Sequence, residues 1–247
     1  MKNTAIEPVT VAAGVLAENL SRIEAQITAA CREAGRPRGE VALMAVSKMH
    51  PASAILAAEA LGVRLFGENK VQEFQGKSAQ LGSVPGVEFH LIGHLQSNKA
   101  ARAAELFSSI DTLDSVSLAE RLNQAATVLG RRLAVLIEIK LSHEASKAGL
   151  EPDSAELGLL LERLPDLSSL ELRGLMTVPP YLEDLSAVRP YFARLRELRD
   201  RLAAAHPRLS LNELSMGMSH DFSVAIAEGA TQVRIGTALF GARDYSR

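Results

Sequence analysis

Two hydrophobic periods take turns along this chain. Over 11–34, Leu16, Leu20, Ile23 and Ile27 recur at spacings of three and four between Glu18, Arg22, Glu24 and Arg32, which predicts an amphipathic helix. Gly35 and Pro37 stop it. A short apolar run over 41–46, bounded by Glu40 and Pro51, predicts a buried strand. The exchange then repeats. Strands are predicted over 63–66, 87–92, 108–111, 133–139, 169–175, 209–214 and 231–235. Helices are predicted over 51–61, from the turn Gly67-Glu68-Asn69 to about 81, and over 99–106, 115–129, 154–164, 185–205 and 219–228. Ser115 is placed to cap its helix, 141–149 reads as a longer loop, and 237–241 starts a short closing helix.

Eight strand-like runs, each followed by a helix or helical turn, imply parallel strands. Eight such units favour a closed α/β barrel, a (β/α)8 TIM barrel with an extra N-terminal helix, over an open doubly wound sheet. No Pro/Ser-rich linker and no composition break interrupts the pattern. Residues 1–247 are therefore expected to form a single domain with its core at about 41–243.

Composition narrows the function without choosing it. A net charge of −2 gives no electrostatic reason to expect nucleic acid or an anionic membrane as partner. Cys31 is the only cysteine, so no intrachain disulfide is possible, which suits a reducing compartment. No apolar run approaches the roughly 20 residues of a membrane span, and 1–10 lacks the basic start and apolar stretch of a signal peptide. A soluble cytoplasmic protein is expected. Trp is absent and aromatics are few, so the packing has to rest on Leu, Val, Ile and Ala.

In a barrel of this kind the site lies at the C-terminal ends of the strands. Lys48 closes the first apolar run there. Either it marks where the strand meets water, or it projects into a pocket where desolvation makes its amine a nucleophile toward carbonyls. Asn69, His90, Met176, Ser215 and the segment Arg234-Ile235-Gly236-Thr237 are expected at the same end. Leu214-Ser215-Met216-Gly217-Met218-Ser219 sets hydroxyls and a glycine before a helix, and the end of the chain repeats the device. Small residues let backbone N–H groups approach an anion, and hydroxyls add donors. A lysine on the first strand facing a phosphate cup after the last two suggests a phosphorylated aldehyde held as a Schiff base, with pyridoxal 5′-phosphate as the candidate. Arg234 lies inside the apolar run 233–239, which predicts an inward guanidinium with a specific partner. His90 and His94 straddle a strand end and Gly93 rather than a helix face, so they are no metal pair, and no metal site is expected. Lys99, Lys140, Glu144 and Lys147 read as solvated, Lys147 near the mouth.

Seven segments carry a resemblance. They are Val46-Ser47-Lys48, Phe66-Gly67-Glu68-Asn69, the run from His90 to Lys99, Ser146-Lys147-Ala148-Gly149, Leu172-Arg173-Gly174-Leu175-Met176, the run from Leu214 to Asp221, and the run from Val233 to Gly241. In that order they closely resemble the pyridoxal phosphate homeostasis protein family, whose members look like the N-terminal barrel of alanine racemase standing alone. The resemblance implies that Lys48 is the Schiff-base lysine. It implies that Ser215, Gly236 and Thr237 hold the phosphate with Met216 adjacent, that Arg234 faces the pyridine nitrogen, and that Asn69 lies near the ring. Two positions depart from the family's pattern. Met49 stands where a small polar residue is usual, and Lys140 where asparagine is common, and both are expected at the pocket mouth.

An arginine at the ring nitrogen leaves the pyridine unprotonated and weakens it as an electron sink. Racemases tolerate this but need a second acid/base on the other face of the ring, which in alanine racemase another domain supplies. The chain ends at Arg247, and Tyr181, Tyr191 and Tyr245 sit in no motif resembling the racemase tyrosine. The expected function is therefore a monomeric pyridoxal phosphate-binding protein without catalytic residues, which stores, buffers or delivers the cofactor to pyridoxal phosphate-dependent apo-enzymes. A racemase or lyase is the alternative, and a Schiff-base aldolase acting on a sugar phosphate the third reading.

Overall fold

The computed structural model describes residues 13–142 and 148–241. Among them, eight parallel strands close into a barrel in sequence order: β1 (Ala42–Val46), β2 (Leu65–Glu68), β3 (Glu88–Leu91), β4 (Ser109–Leu113), β5 (Leu133–Glu138), β6 (Leu170–Met176), β7 (Glu213–Met218) and β8 (Gln232–Ile235). The seam joins β8 to β1, with Ala45 opposite Ile235. The helices are α1 (Ala13–Glu33), which precedes the barrel, then α2 (Ala52–Ala60), α3 (Val71–Leu81), α4 (Ala100–Leu106), α5 (Val116–Val128), α6 (Ala155–Arg163), α7 (Leu185–Ala205), α8 (Phe222–Ala227) and α9 (Thr237–Phe240). This is the expected (β/α)8 TIM barrel with its extra N-terminal helix. Ser115 caps α5 as predicted, its Oγ accepting from Leu118 N–H at 3.2 Å. None of the described helices is long and apolar enough to cross a membrane. The predicted start of the first helix at Val11, the loop residues Glu144, Ser146 and Lys147, and Tyr245 lie outside the described residues.

Strand alternation divides the buried residues into two cores. Ala45, Phe66, Phe89, Ile110, Val135, Ile137, Leu175, Leu214, Val233 and Ile235 face the helices and form the continuous apolar layer. Phe66, Phe74, Phe89 and Phe107 stack there with ring centroids 4.6–5.7 Å apart. Each such side chain contributes about 1.5–3 kcal/mol by leaving water. The alternate residues face the barrel axis. Met44, Val46, Leu136 and Met176 fill part of that interior, while His90, Ser109, Asp111, Glu138, Ser215, Gln232 and Arg234 make the rest polar.

Three predicted positions shift for that reason. The second strand was expected over 63–66 with a turn at Gly67-Glu68-Asn69, but Gly67 and Glu68 continue it. Gly67 must lack a side chain, because a Cβ there would sit 2.7 Å from Met44 Sδ. The seventh strand was expected over 209–214 and lies instead at Glu213–Met218, so Ser215 is inside the strand rather than in the loop after it. Polar residues in a strand read as its end only if the interior is oily, and here it is not. His90 was expected at the C-terminal mouth. It lines a cavity of about 310 Å³ at the opposite, N-terminal mouth, with Glu88, Arg173, Glu213 and Gln232.

Candidate functional site

Strand β1 ends at Val46, yet Ser47 N–H still bonds to Gly67 O at 3.1 Å, which carries the ladder to the threshold of Lys48. Lys48 follows in the turn, half-buried. One strand over, Asn69 is half-buried in the bend after β2. Gly93, in the bend after β3, lies so close that a Cβ would fall 2.2 Å from Asn69 O and 2.7 Å from its Oδ1. Thr112 Oγ1 in turn donates to Gly93 O at 2.9 Å. The tops of β2, β3 and β4 thus fix Asn69 from one side.

Across the seam, Arg234 leaves β8 toward the axis and is 4% exposed. Its guanidinium donates to Ser215 Oγ at 2.8 Å and to Thr177 O at 2.7 Å. Both acceptors are neutral, and among the described residues no carboxylate lies within ion-pairing distance of it. Burial pulls the Arg234 pKa down, while the more distant Asp111, Asp221 and Glu138 oppose that pull. A buried cation without a charged partner is costly. The mouth therefore presents a fixed positive group whose partners among the described residues are a hydroxyl and a backbone carbonyl.

Arg234 tops a column of hydrogen bonds through the barrel interior. Ser215 Oγ also accepts from Gln232 Nε2 at 2.9 Å, and the same amide donates to Asp111 Oδ2 at 3.3 Å. Both lone pairs of the Ser215 hydroxyl are then used, and what it has left for a ligand is its O–H. Asp111 accepts from Ser109 Oγ at 2.6 Å and pairs with His90 Nδ1 at 3.1 Å, while His90 Nε2 faces Glu88 at 3.5 Å. Burial would lower the His90 pKa, but Asp111 and Glu88 outweigh it and hold the imidazolium up to about 9. Burial likewise pushes Asp111 up, and His90 with the hydrogen bonds of Ser109 and Gln232 brings it below its ordinary value.

The remaining predicted residues divide. Gly236 is buried and precedes α9, and Thr237 is exposed at its first position, so both lie beyond the end of β8 at the same mouth as Lys48. The side chain of Met216 is fully buried in the helix-facing core, which leaves only its backbone for a ligand. Met49 is exposed and has φ +63°. Met176 is buried inside the barrel. No group of three or more His, Cys, Asp or Glu that could hold a metal occurs among the described residues.

Sequence reasoning missed Glu138, which ends β5 and is 8% exposed. Its Oε2 is buried without a hydrogen-bond partner among the described residues. Burial, helped by Asp114, raises its pKa to about 7 against the pull of Arg234 and His94. The signal was present: Glu138 closes an apolar strand as Lys48 does. Thr177, Gln232 and Asp111 gave no such signal, because their roles arise from contacts between strands.

Residues 19–244 match the family of the alanine racemase N-terminal domain. The chain is 45% identical over 230 residues to the pyridoxal phosphate homeostasis protein of Pseudomonas aeruginosa, across 93% of this chain and 96% of that one. It belongs to the pyridoxal phosphate homeostasis protein family. The Escherichia coli K12 member is 43% identical over 240 residues, covering 94% of this chain and 98% of its own. Among solved structures, PipY of Synechococcus elongatus with pyridoxal phosphate bound superposes with a TM-score of 0.82 at 43% identity, over 92% of this chain and all of that one. Alanine racemase of Clostridium difficile matches with a TM-score of 0.70 at 18% identity, over 94% of this chain but 58% of the racemase. That second likeness is one of fold alone.

Proposed function

We propose that the C-terminal mouth holds pyridoxal 5′-phosphate as a Schiff base on Lys48, and that the protein stores, buffers or delivers this cofactor without turnover of its own. One observation carries the reading. Arg234 is a buried guanidinium at the mouth, held by two neutral acceptors, and it suits a ligand that brings an acceptor of its own. The family membership and the cofactor-bound PipY, which shares most of this chain, support the same ligand.

The groups present fit it. Lys48 supplies the amine and Arg234 faces the pyridine nitrogen. Asn69, fixed by Gly93, lies beside the ring. Thr237 offers a hydroxyl to the phosphate, Gly236 and Met216 offer backbone, and Ser215 offers the O–H that its accepted bonds leave it. When bound, pyridoxal phosphate supplies an electrophilic carbon and an electron sink. A guanidinium at the ring nitrogen donates a hydrogen bond but keeps its proton, so the sink stays weak. Storage and hand-on to apo-enzymes follow from that weakness better than amino-acid turnover does, and the protein is proposed to act as a monomer.

The test is a spectrum of the cofactor-loaded protein before and after borohydride, followed by peptide mapping. A visible band that borohydride removes, with the label on Lys48, is expected. A label on Lys140 or Lys147 overturns the assignment. Rapid deuterium incorporation at Cα of any amino acid in deuterated water, lost in Lys48→Ala, overturns the carrier reading.

A further inference from the structure

Behind Lys48, on the helix-facing side of the sheet, sits an ionic cluster that the proposed cofactor site does not use. Lys77 on α3 is 8% exposed. Its ammonium donates to Ser47 O at 2.9 Å and to both oxygens of Glu68 at 2.9 and 3.0 Å, and it pairs with Glu73 Oε1 at 2.7 Å. Glu68 Oε1 also accepts from Ser47 Oγ at 2.7 Å, and Glu73 Oε1 accepts from Met49 N–H at 2.5 Å. The cluster therefore grips the residue before Lys48 by its carbonyl and hydroxyl, and the residue after it by its amide.

The second grip has a visible consequence. Met49 takes φ +63°, a left-handed conformation that costs a non-glycine residue free energy and persists only where neighbours impose it. Two bonds hold the turn there, Met49 N–H to Glu73 and His50 N–H to Ser47 O at 3.1 Å, and only the first belongs to the cluster. Lys77 is itself an unsuitable point of attachment for a carbonyl, because its three donors are committed to two carboxylates and a backbone oxygen.

We infer that Lys77 is a positioning residue: through Glu68 and Glu73 it latches the 47–49 turn and so sets how slowly a ligand attached to Lys48 is released. The inference rests on Lys48 being the attachment point. Releasing a ligand from Lys48 requires its amine to swing and be replaced by water or another amine at the same carbon. A turn held on both sides resists that movement, and a turn held on neither side permits it.

Lys77→Met keeps the side-chain length and removes every donor. Lys77→Arg keeps donors and charge. Glu73→Ala removes the grip on Met49 together with one of the two carboxylates that pair with Lys77, from a side chain that is 26% exposed, so it tests the latch even if Lys77→Met does not fold. Three readouts are taken on each folded variant: borohydride label on Lys48, release of pyridoxal phosphate into an excess of apo-enzyme, and hydrogen exchange of the 47–49 amides in cofactor-free protein. In Lys77→Met the label should stay on Lys48, release should quicken tenfold or more, and Met49 N–H should exchange faster. Glu73→Ala should quicken release several-fold, and Lys77→Arg should restore slow release. Wild-type release rates in both Lys77→Met and Glu73→Ala, or in Glu73→Ala alone where Lys77→Met does not fold, overturn the latch while leaving the cofactor site intact. Absence of label on wild-type Lys48 overturns the site and the latch together.

Discussion

Two buried ionic clusters serve the two sides of the mouth, and they are built differently. Glu68, Lys77 and Glu73 lie between the sheet and α3 and hold backbone on either side of Lys48. His90, Asp111, Gln232 and Ser215 lie inside the barrel and hold one side chain, Arg234. The outer cluster is centred on a lysine and the inner one on a histidine, the side chain whose charge changes nearest physiological pH. The turn beside Lys48 is thus fixed through two carboxylates and an ammonium, while the Arg234 guanidinium stands on a column that ends in a histidine–aspartate pair.

The largest effect should come from breaking the inner pair. Asp111→Ala strands a buried imidazolium and the Gln232 amide, and should cost about 3–5 kcal/mol in urea denaturation. Lys77→Met should cost less, about 2–3 kcal/mol, because Glu68 can take up a proton once its partner is gone. Burial already holds the Glu68 pKa above its ordinary value. If Lys77→Met proves the more damaging, the ranking of the two clusters is reversed.

The pH dependence separates them next. The His90 pKa is raised from 6.5 to about 9 in the fold. A raised value gives stability that is fully present below the unfolded pKa and is lost as pH rises through the folded one. The unfolding free energy measured in urea should therefore fall between pH 6.5 and 9, by an amount on the order of 3 kcal/mol for a shift of this size. His90→Gln should flatten the profile, and an unchanged slope in that variant would assign the loss elsewhere.

Much of this architecture was legible in the amino-acid sequence, and the places where it was not share one cause. Alternating apolar runs announced the strands, and the charges that end or interrupt them marked Lys48 and Arg234. Ser215 was misplaced by one strand end because its serine looked like a stop, when it is a rung of the interior column. Glu68 was assigned to a turn for the same reason. Lys77 reads as one more helix-surface lysine until α3 is laid against β1, since its partners come from strands that periodicity treats separately.

Glu138 is a third buried ionisable group, and among the described residues its Oε2 has no hydrogen-bond partner. Its folded pKa of about 7 exceeds the ordinary 4.5, so the cofactor-free protein loses stability as pH rises from 4.5 through 7. Glu138→Gln should remove that loss and stabilise the cofactor-free protein by about 1–3 kcal/mol at pH 8, with no gain at pH 4. Equal effects at both pH values would mean that its charge is already compensated. The smallest effect belongs to the turn itself. Met49→Gly relieves a left-handed residue but loosens the unfolded chain, so a net change below about 1 kcal/mol is expected by thermal melting. A larger loss would show the Met49 side chain to be part of the latch.

The seam between β8 and β1 gives the mouth a temporal character. Lys48 follows the first strand and Thr237 the last, and the site proposed for them comes together only when Ala45 and Ile235 pair as the barrel shuts. Of all the strand pairings this one spans the most sequence and forms against the greatest loop entropy. During synthesis the lysine emerges long before the Thr237 hydroxyl proposed to face the phosphate. A ligand that touches both binds the closed ring and not the open one, and at a hundred times its dissociation constant it adds about 2.7 kcal/mol to closure. Filling the mouth is then a proof that the last strand has arrived, and a chain cut short of β8 would keep its amine and lose its guest.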